Sequence, residues 1–236
     1  MKLVRLIKKQ IRLMKMHKLI NKLNEENHVD IDEKVLNILN LNVMGKQNKI
    51  IVKNVICNDY TRIVLNLAGD NNYINITGVK INKDLRITVG ADSGNFKPVN
   101  NHYLCIGKNT SIESMVYESY NSNTGCTLGE DCMVSFDVLI FNTDAHPILD
   151  YRTNKLCNFL KKINIGNHCW IGKNVVVLKN SVIADDCIVG GYSVVSGRYT
   201  ESHAIYAGNP AKKIKSDRTW HYNGVEYGYI DNIETL

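Results

Sequence analysis

Hydrophobic positions recur every sixth residue through the later part of the chain. From Ile165 the sequence reads IGNHCW, IGKNVV, VLKNSV, IADDCI, VGGYSV, VSGRYT. An aliphatic residue opens each block (Ile165, Ile171, Val177, Ile183, Val189, Val195). The fifth place holds a small or short side chain at Cys169, Val175, Ser181, Cys187 and Ser193, with Tyr199 the exception. An earlier run keeps the same step, led by Leu128, Val134 and Ile140, with Cys132 in the small slot. A period of six fits neither the helical repeat nor the alternation of a plain strand. It fits a solenoid in which a short strand and its turn together use six residues. Each aliphatic side chain then points inward and stacks on its equivalent in the next coil. Three blocks close a triangular coil.

The preceding stretch carries fainter copies. Gly69-Asp70-Asn71-Asn72 leads into alternating Ile74 and Ile76, and Gly45-Lys46-Gln47-Asn48 into Ile50; Ile81 and Ile87, then Ile106 and Ile112, stand six apart. These predict irregular early coils over 41–127, with excursions near 92–103 and 117–126, ahead of the regular repeat at 128–215. The phase breaks once in the regular part, at 146–164, which predicts a loop extruded from a corner. A tail, 216–236, follows the repeat.

The first 40 residues are a different object. Residues 1–23 interleave apolar positions with Lys2, Arg5, Lys8, Lys9, Arg12, Lys15, Lys18 and Lys22 and contain no acid. They predict a basic amphipathic helical arm, suited to an anionic membrane surface, to packing on the coils or to a trimerising bundle.

Composition narrows the function classes. Net charge is +6, but without the arm's eight basic residues the remainder is 21 basic against 23 acidic, or −2. A nucleic-acid footprint over the body is therefore not expected. No apolar run reaches the roughly 18 residues of a membrane span, and the basic start does not read as a secretory signal, so a cytoplasmic location is expected, with room for peripheral contact at the inner face of the membrane. The chain holds 30 Asn against 3 Pro, alongside abundant Ile and Val, a mixture that fits short strands joined at frequent tight turns. The seven cysteines include no C-x-x-C pair, and Cys132, Cys169 and Cys187 read as small apolar fillers of the repeat.

The composite of Thr143-Asp144-Ala145-His146 before a protruding loop, then Ile163 to Gly172 with Trp170, then Ala207-Gly208-Asn209-Pro210-Ala211-Lys212 resembles the hexapeptide-repeat O-acetyltransferases. The similarity is to the galactoside/xenobiotic branch, and to polysialic-acid and capsular-polysaccharide O-acetyltransferases. It covers about residues 105–215. The resemblance implies an all-β fold, a left-handed parallel β-helix with a protruding loop and here an N-terminal helical arm. It implies acetyl transfer from acetyl-CoA to a sugar hydroxyl, with no metal. His146 then takes the family's general-base role, a task suited to imidazole because its ordinary pKa lies near the operating pH. Asp144 is a candidate to orient the ring, although it also fits the small slot of its block. Trp170 would wall the acceptor and thioester and so contact the cofactor too, next to Gly172. Lys173, Gly191 and Ser196 match pantetheine contacts, and Lys212 and Lys215 match cations near the CoA phosphates. Gly197 and Arg198 depart from the family's usual Thr-Lys-Asp, which touches the Ser196 assignment.

Counting sixes puts His146 in an inward slot, at the corner between the third side and the first. Trp170 falls at the corner between the first and second. Those corners are one side apart, about 15 Å at roughly 3.3 Å per extended residue. That separation predicts a homotrimer with sites between subunits. Two other catalytic readings stay open: N-acetylation of an amino sugar or nucleotide sugar, and a zinc enzyme of the carbonic-anhydrase type, which lacks a third histidine near His146 and His168. A non-catalytic scaffold is the remaining alternative.

Overall fold

The computed structural model describes residues 2–90, 97–159 and 162–222. The aliphatic repeat becomes the wall of a three-sided parallel β-helix. On the first side, strands His28–Ile31, Lys49–Lys53, Tyr73–Thr77, Tyr103–Ile106, Gly125–Leu128, Ile163–Ile165, Val182–Ile183 and Arg198–Tyr199 stack in chain order. The second and third sides form one continuous bent sheet: in Lys80–Val89 and Ser111–Ser119 a single strand turns the corner between them. Later coils split there into two short strands, Met133–Val134 with Val138–Phe141, and Trp170–Ile171 with Val176–Leu178.

Register carries the hexad inward at every coil. Leu128 pairs with Ile165 and Ile165 with Ile183; Val134 pairs with Ile171 and Ile171 with Val189; Ile140 pairs with Val177 and Val177 with Val195. All of them are buried, as are Cys132, Cys169, Val175, Ser181, Cys187 and Ser193 in the short slot. Each buried aliphatic side chain contributes roughly 1.5–3 kcal/mol, so the repeat is its own core. The thiols of the short slot also turn to a carbonyl of the next coil: Cys132 Sγ to Gly166 O (3.2 Å), Cys169 Sγ to Ala184 O (3.1 Å) and Cys187 Sγ to Glu201 O (3.3 Å).

The abundance of asparagine finds its place at the corners. Of the 17 non-glycine residues with positive φ among the described residues, eight are Asn and four are Asp. These side chains tolerate left-handed backbone because they bond locally. Some also form ladders: Asn71 Nδ2 donates to Asn101 Oδ1 (2.6 Å) and Asn101 Nδ2 to Asn123 Oδ1 (2.9 Å).

The N-terminal helix spans Lys2–Leu23. Met16, Leu19, Ile20 and Leu23 pack on the core, and Arg12 Nη2 donates to Leu39 O (2.9 Å). The arm is shorter than the sequence suggests. His28–Ile31 already pairs in parallel with Lys49–Val52, so the coils begin at His28 rather than 41. The early coils lack a clean hexad because a short helix, Glu33–Leu36, replaces the second-side strand of the first coil, burying Val35 and Leu36. Part of the 92–103 excursion, loop residues 160–161 and tail residues from 223 lie outside the described residues. Among the described residues, no helix is long and apolar enough to cross a membrane.

Candidate active site

The loop leaves the third side directly after Phe141, whose register partner in the next coil is Leu178. Asn142 and Thr143 are still buried. Thr143 Oγ1 donates to Asn121 Oδ1 (2.6 Å) and accepts from the Ala145 N–H (2.9 Å). The His146 N–H then donates to Asp144 O (2.6 Å) across Ala145, whose φ is 60°. This is the bond of a γ-turn over a central residue in the left-handed region, a strained arrangement for alanine. It ends the strand and turns His146 outward. His146 is exposed, so the inward slot given by counting sixes is wrong: the register stops at the γ-turn.

Lumen side chains hold this strand end from within. His102 Nε2 and the Tyr117 hydroxyl are 2.7 Å apart, and Asn142 Nδ2 donates to Tyr117 Oη (3.4 Å) and Gly125 O (3.1 Å). Burial pushes the His102 imidazole down to about 4, against an opposing backbone hydrogen bond at Asn121. His102 is thus a neutral core group.

Asn121, Asp144, Ala145, His146, Pro147, Leu156 and Asn158 line a concavity of about 250 Å³. Asp144 makes no hydrogen bond to the His146 ring among the described residues. Its carboxylate accepts from Asn158 Nδ2 (2.7 Å) and pairs with Lys179 Nζ (2.7 Å). Burial pushes the Asp144 carboxyl up, but Lys179 and Asn158 together outweigh it and hold it below its ordinary value. Asn158 also donates to His146 O (2.9 Å), tying the far arm of the loop to the histidine's backbone. Among the described residues the His146 ring has no hydrogen-bond partner, which leaves both nitrogens open to the concavity and solvent. Chemically this is an accessible imidazole beside a neutralised carboxylate, with amides able to bond hydroxyls.

The remaining candidates lie elsewhere on the chain. Trp170 opens a second-side strand and donates from Nε1 to Ser135 Oγ (3.1 Å); it does not line the His146 concavity. Gly172, Lys173 and Gly191 cluster at the corner between the second and third sides. A Cβ on Gly172 would meet Gly191 N and Val189 O at 2.7 Å, and Tyr192 N–H donates to Lys173 O (2.8 Å). Ser196 lies at the next corner, past Val194–Val195, and its N–H faces the Tyr199 hydroxyl (3.4 Å). Lys212 and Lys215 are exposed on Ala211–Lys215, which folds back antiparallel on Ile205–Gly208. One chain therefore gathers His146 with Asp144, and Gly172 with Lys173 and Gly191, but does not unite the two groups. Among the described residues, no group of three or more His, Cys, Asp or Glu is placed to hold a metal ion.

The residues missing from the sequence reading are Lys179, Asn158 and Asn121. Lys179 was reachable: it follows Leu178 as Asn142 follows Phe141, so carrying the register across the loop sets it beside the base of the loop. Asn158 and Asn121 carry no periodic signal.

A family model for the bacterial transferase hexapeptide (six repeats) matches residues 162–197. A polysialic acid O-acetyltransferase of Escherichia coli O1:K1 / APEC is 31% identical over 142 residues, covering 60% of this chain and 44% of that protein. The chain thus spans less than half the length of this curated relative. An uncharacterized 24.8 kDa protein in the cps region of Klebsiella pneumoniae is 32% identical over 185 residues, covering 72% of this chain and 77% of that one. Among solved structures, the polysialic acid O-acetyltransferase OatWY superposes with a TM-score of 0.59 at 24% identity, over 85% of this chain and 90% of the other. That likeness establishes the fold, a left-handed parallel β-helix.

Proposed function

The chain belongs to the hexapeptide-repeat transferases, and on that premise we propose that it moves an acetyl group from acetyl-CoA to a sugar hydroxyl of a surface glycan. The observation that carries the reading is the open His146 imidazole on a fixed turn beside a small concavity that Asn121, Asp144 and Asn158 also line. His146 accepts the proton of the sugar hydroxyl as that oxygen attacks the thioester carbonyl. The new C–O bond forms, the C–S bond breaks, and the imidazolium returns its proton to the departing thiolate. Asp144 does not act as the ring's orienter in this scheme. Clamped by Lys179 and Asn158, it fixes the turn that presents the ring. Gly172, Lys173 and Gly191 form a corner of bare backbone on which the pantetheine arm would lie, with Ser196, Lys212 and Lys215 toward the far end. The sequence relatives that act on glycans favour a polysaccharide acceptor.

Two further parts of the reading concern assembly. The donor corner and Trp170 lie away from His146 within one chain, and the loop carries Ile148, Leu149, Tyr151, Leu156 and Phe159 exposed. An apolar patch of this kind favours burial against another copy, in keeping with a homotrimer whose sites lie between subunits. The N-terminal helix keeps a solvent stripe of Val4, Ile7, Ile11 and Met14 on the side away from its packed residues, flanked by Lys8 and Lys15. This favours peripheral contact with an anionic membrane. The deciding experiment is His146→Ala, read by mass spectrometry of acetyl transfer to charged and neutral oligosaccharides. Transfer falls at least about 100-fold, the lower end of a general base's contribution, while the fold and oligomer persist. Near-native turnover in a folded variant would sink the mechanism.

A further inference from the structure

Past its last coil the chain does not simply end. From Ser216 it runs back along the corner between the first and second sides, against the direction in which coils are added. The Arg218 N–H donates to His203 O (2.8 Å), and Trp220 Nε1 donates to His168 O (2.8 Å) across 52 residues. The Tyr222 hydroxyl stands 3.4 Å from both Ser111 Oγ and Lys80 Nζ. Trp220 is the buried member, only 8% exposed. Its indole stacks on the His168 imidazole, centroids 4.6 Å apart and planes 12° apart, and His168 Nδ1 is held in turn by Asp186 Oδ1 at 2.9 Å. A second ring contact joins Trp220 to Trp170, at 6.4 Å and 49°. Trp170 is therefore gripped twice, by Ser135 through its ring nitrogen and by the returning segment through Trp220.

We propose that residues 216–222 brace Trp170, with Trp220 as the positioning residue of the acceptor and thioester wall; this rests on the reading of Trp170 as that wall. The solenoid's own core stands without the brace, because the inward positions are filled by the hexad. What the brace adds is one orientation for an indole that is otherwise half-exposed on a sheet face. A group misplaced by about 1 Å can cost up to about 100-fold in rate, so the effect belongs to catalysis more than to stability.

The chain holds two tryptophans, Trp170 and Trp220, so each reports alone when the other is replaced. In full-length Trp220→Ala, the Trp170 emission shifts to the red and becomes more accessible to acrylamide. The melting temperature and oligomeric state stay native. kcat/KM for acetyl transfer falls about tenfold, mainly through KM, as expected when a binding wall loosens. Trp220→Phe keeps the stacked ring, loses the Nε1 bond and falls between. A Trp220→Ala protein with unaltered Trp170 emission, quenching and kcat/KM would overturn the brace. If Trp220→Ala does not fold, His168→Asn serves instead, since Asn accepts the left-handed backbone of position 168 (φ 50°). That variant removes the stacking ring and weakens the near-ultraviolet dichroism of the indole pair; a native signal and native kcat/KM would count against the proposal. Full activity of Trp170→Ala would instead defeat the reading of Trp170 as the wall, while the fluorescence of Trp220→Ala still decides whether it is braced.

Discussion

Replacing Lys179 with Met tests whether the turn bearing His146 depends on the coil beneath it. Lys179 Nζ lies 2.7 Å from Asp144 Oδ2, with the two side chains 14% and 28% exposed. Exposed pairs contribute roughly 0–1 kcal/mol, and breaking a buried pair costs about 3–5. These exposures place Lys179→Met between them, at about 1–3 kcal/mol of destabilisation at pH 7. The sign with pH is fixed by Asp144. Its carboxyl is held below its ordinary value in the fold, so the stabilisation is present above the unfolded value, near 3.9, and is lost as pH falls through the lower folded value. In Lys179→Met only the Asn158 hydrogen bond still opposes the upward push of burial, so the carboxylate loses most of its stabilisation at neutral pH. The difference between the two proteins therefore peaks near neutrality and closes as acid protonates Asp144. His102, buried and neutral, brings its own acid-side loss, but both proteins share it and it cancels in the difference. The assay is urea unfolding of both proteins at equal concentration from pH 7 to pH 3.5, with Asp144→Asn and the double variant completing the cycle. A difference independent of pH, or additive single effects, would refute the clamp.

Ala145→Gly should relieve left-handed strain and raise stability by about 0.5–1 kcal/mol in urea, yet lower transfer several-fold because the turn presenting His146 loosens; a loss of stability would show that the turn is unstrained. Deleting residues 1–23 should abolish sedimentation with anionic vesicles while leaving kinetics on a short soluble acceptor unchanged. A salt-sensitive rise in KM for a polyanionic acceptor would assign the arm to substrate binding instead. Mixing inactive His146→Ala and Trp170→Ala chains should restore part of the activity through mixed assemblies; verified mixed trimers without recovery would argue that both residues serve one chain's site.

The regular coils were legible because one constraint repeats: each side of the triangle needs an inward aliphatic residue, and Ile165, Ile171 and Val177 return at the same step. The asparagines were legible as turn formers, though not as the ladder Asn71, Asn101, Asn123. The early coils were harder to read. There the third side carries long strands such as Arg62–Ala68, and a helix stands in for one wall, so the step of six dissolves and the pattern extends the arm to residue 40. At the site, motif resemblance singled out His146 and Asp144, but the partner of Asp144 depends on register carried across an insertion. The orientation of His146 depends on a γ-turn at Ala145 that no local propensity announces. Trp220 was invisible for another reason: its ring partners Trp170 and His168 lie 50 and 52 residues away in sequence, and the segment lies outside the repeat that made the rest readable.

The corner between the third side and the first is where chain length varies. There the chain spends residues 142–162 between Phe141 and Ile163, but only Lys179 to Ser181 between Leu178 and Val182. Strands on either side nevertheless keep their partners, Leu128 on Ile165 and Ile165 on Ile183. Loop length is thus uncoupled from register. Insertions and deletions at this corner can be accepted without a frame error propagating into the wall, much as a rack accepts different drawers. A lineage built this way can exchange the residues around His146 while the corner of Gly172 and Gly191, on the other edge of the same coils, stays untouched. Among the described residues two tethers cross from the drawer to the rack below, the pair Lys179 and Asp144 and the bond from Asn180 Nδ2 to Phe159 O (3.2 Å), and loop grafts between relatives should succeed or fail with them.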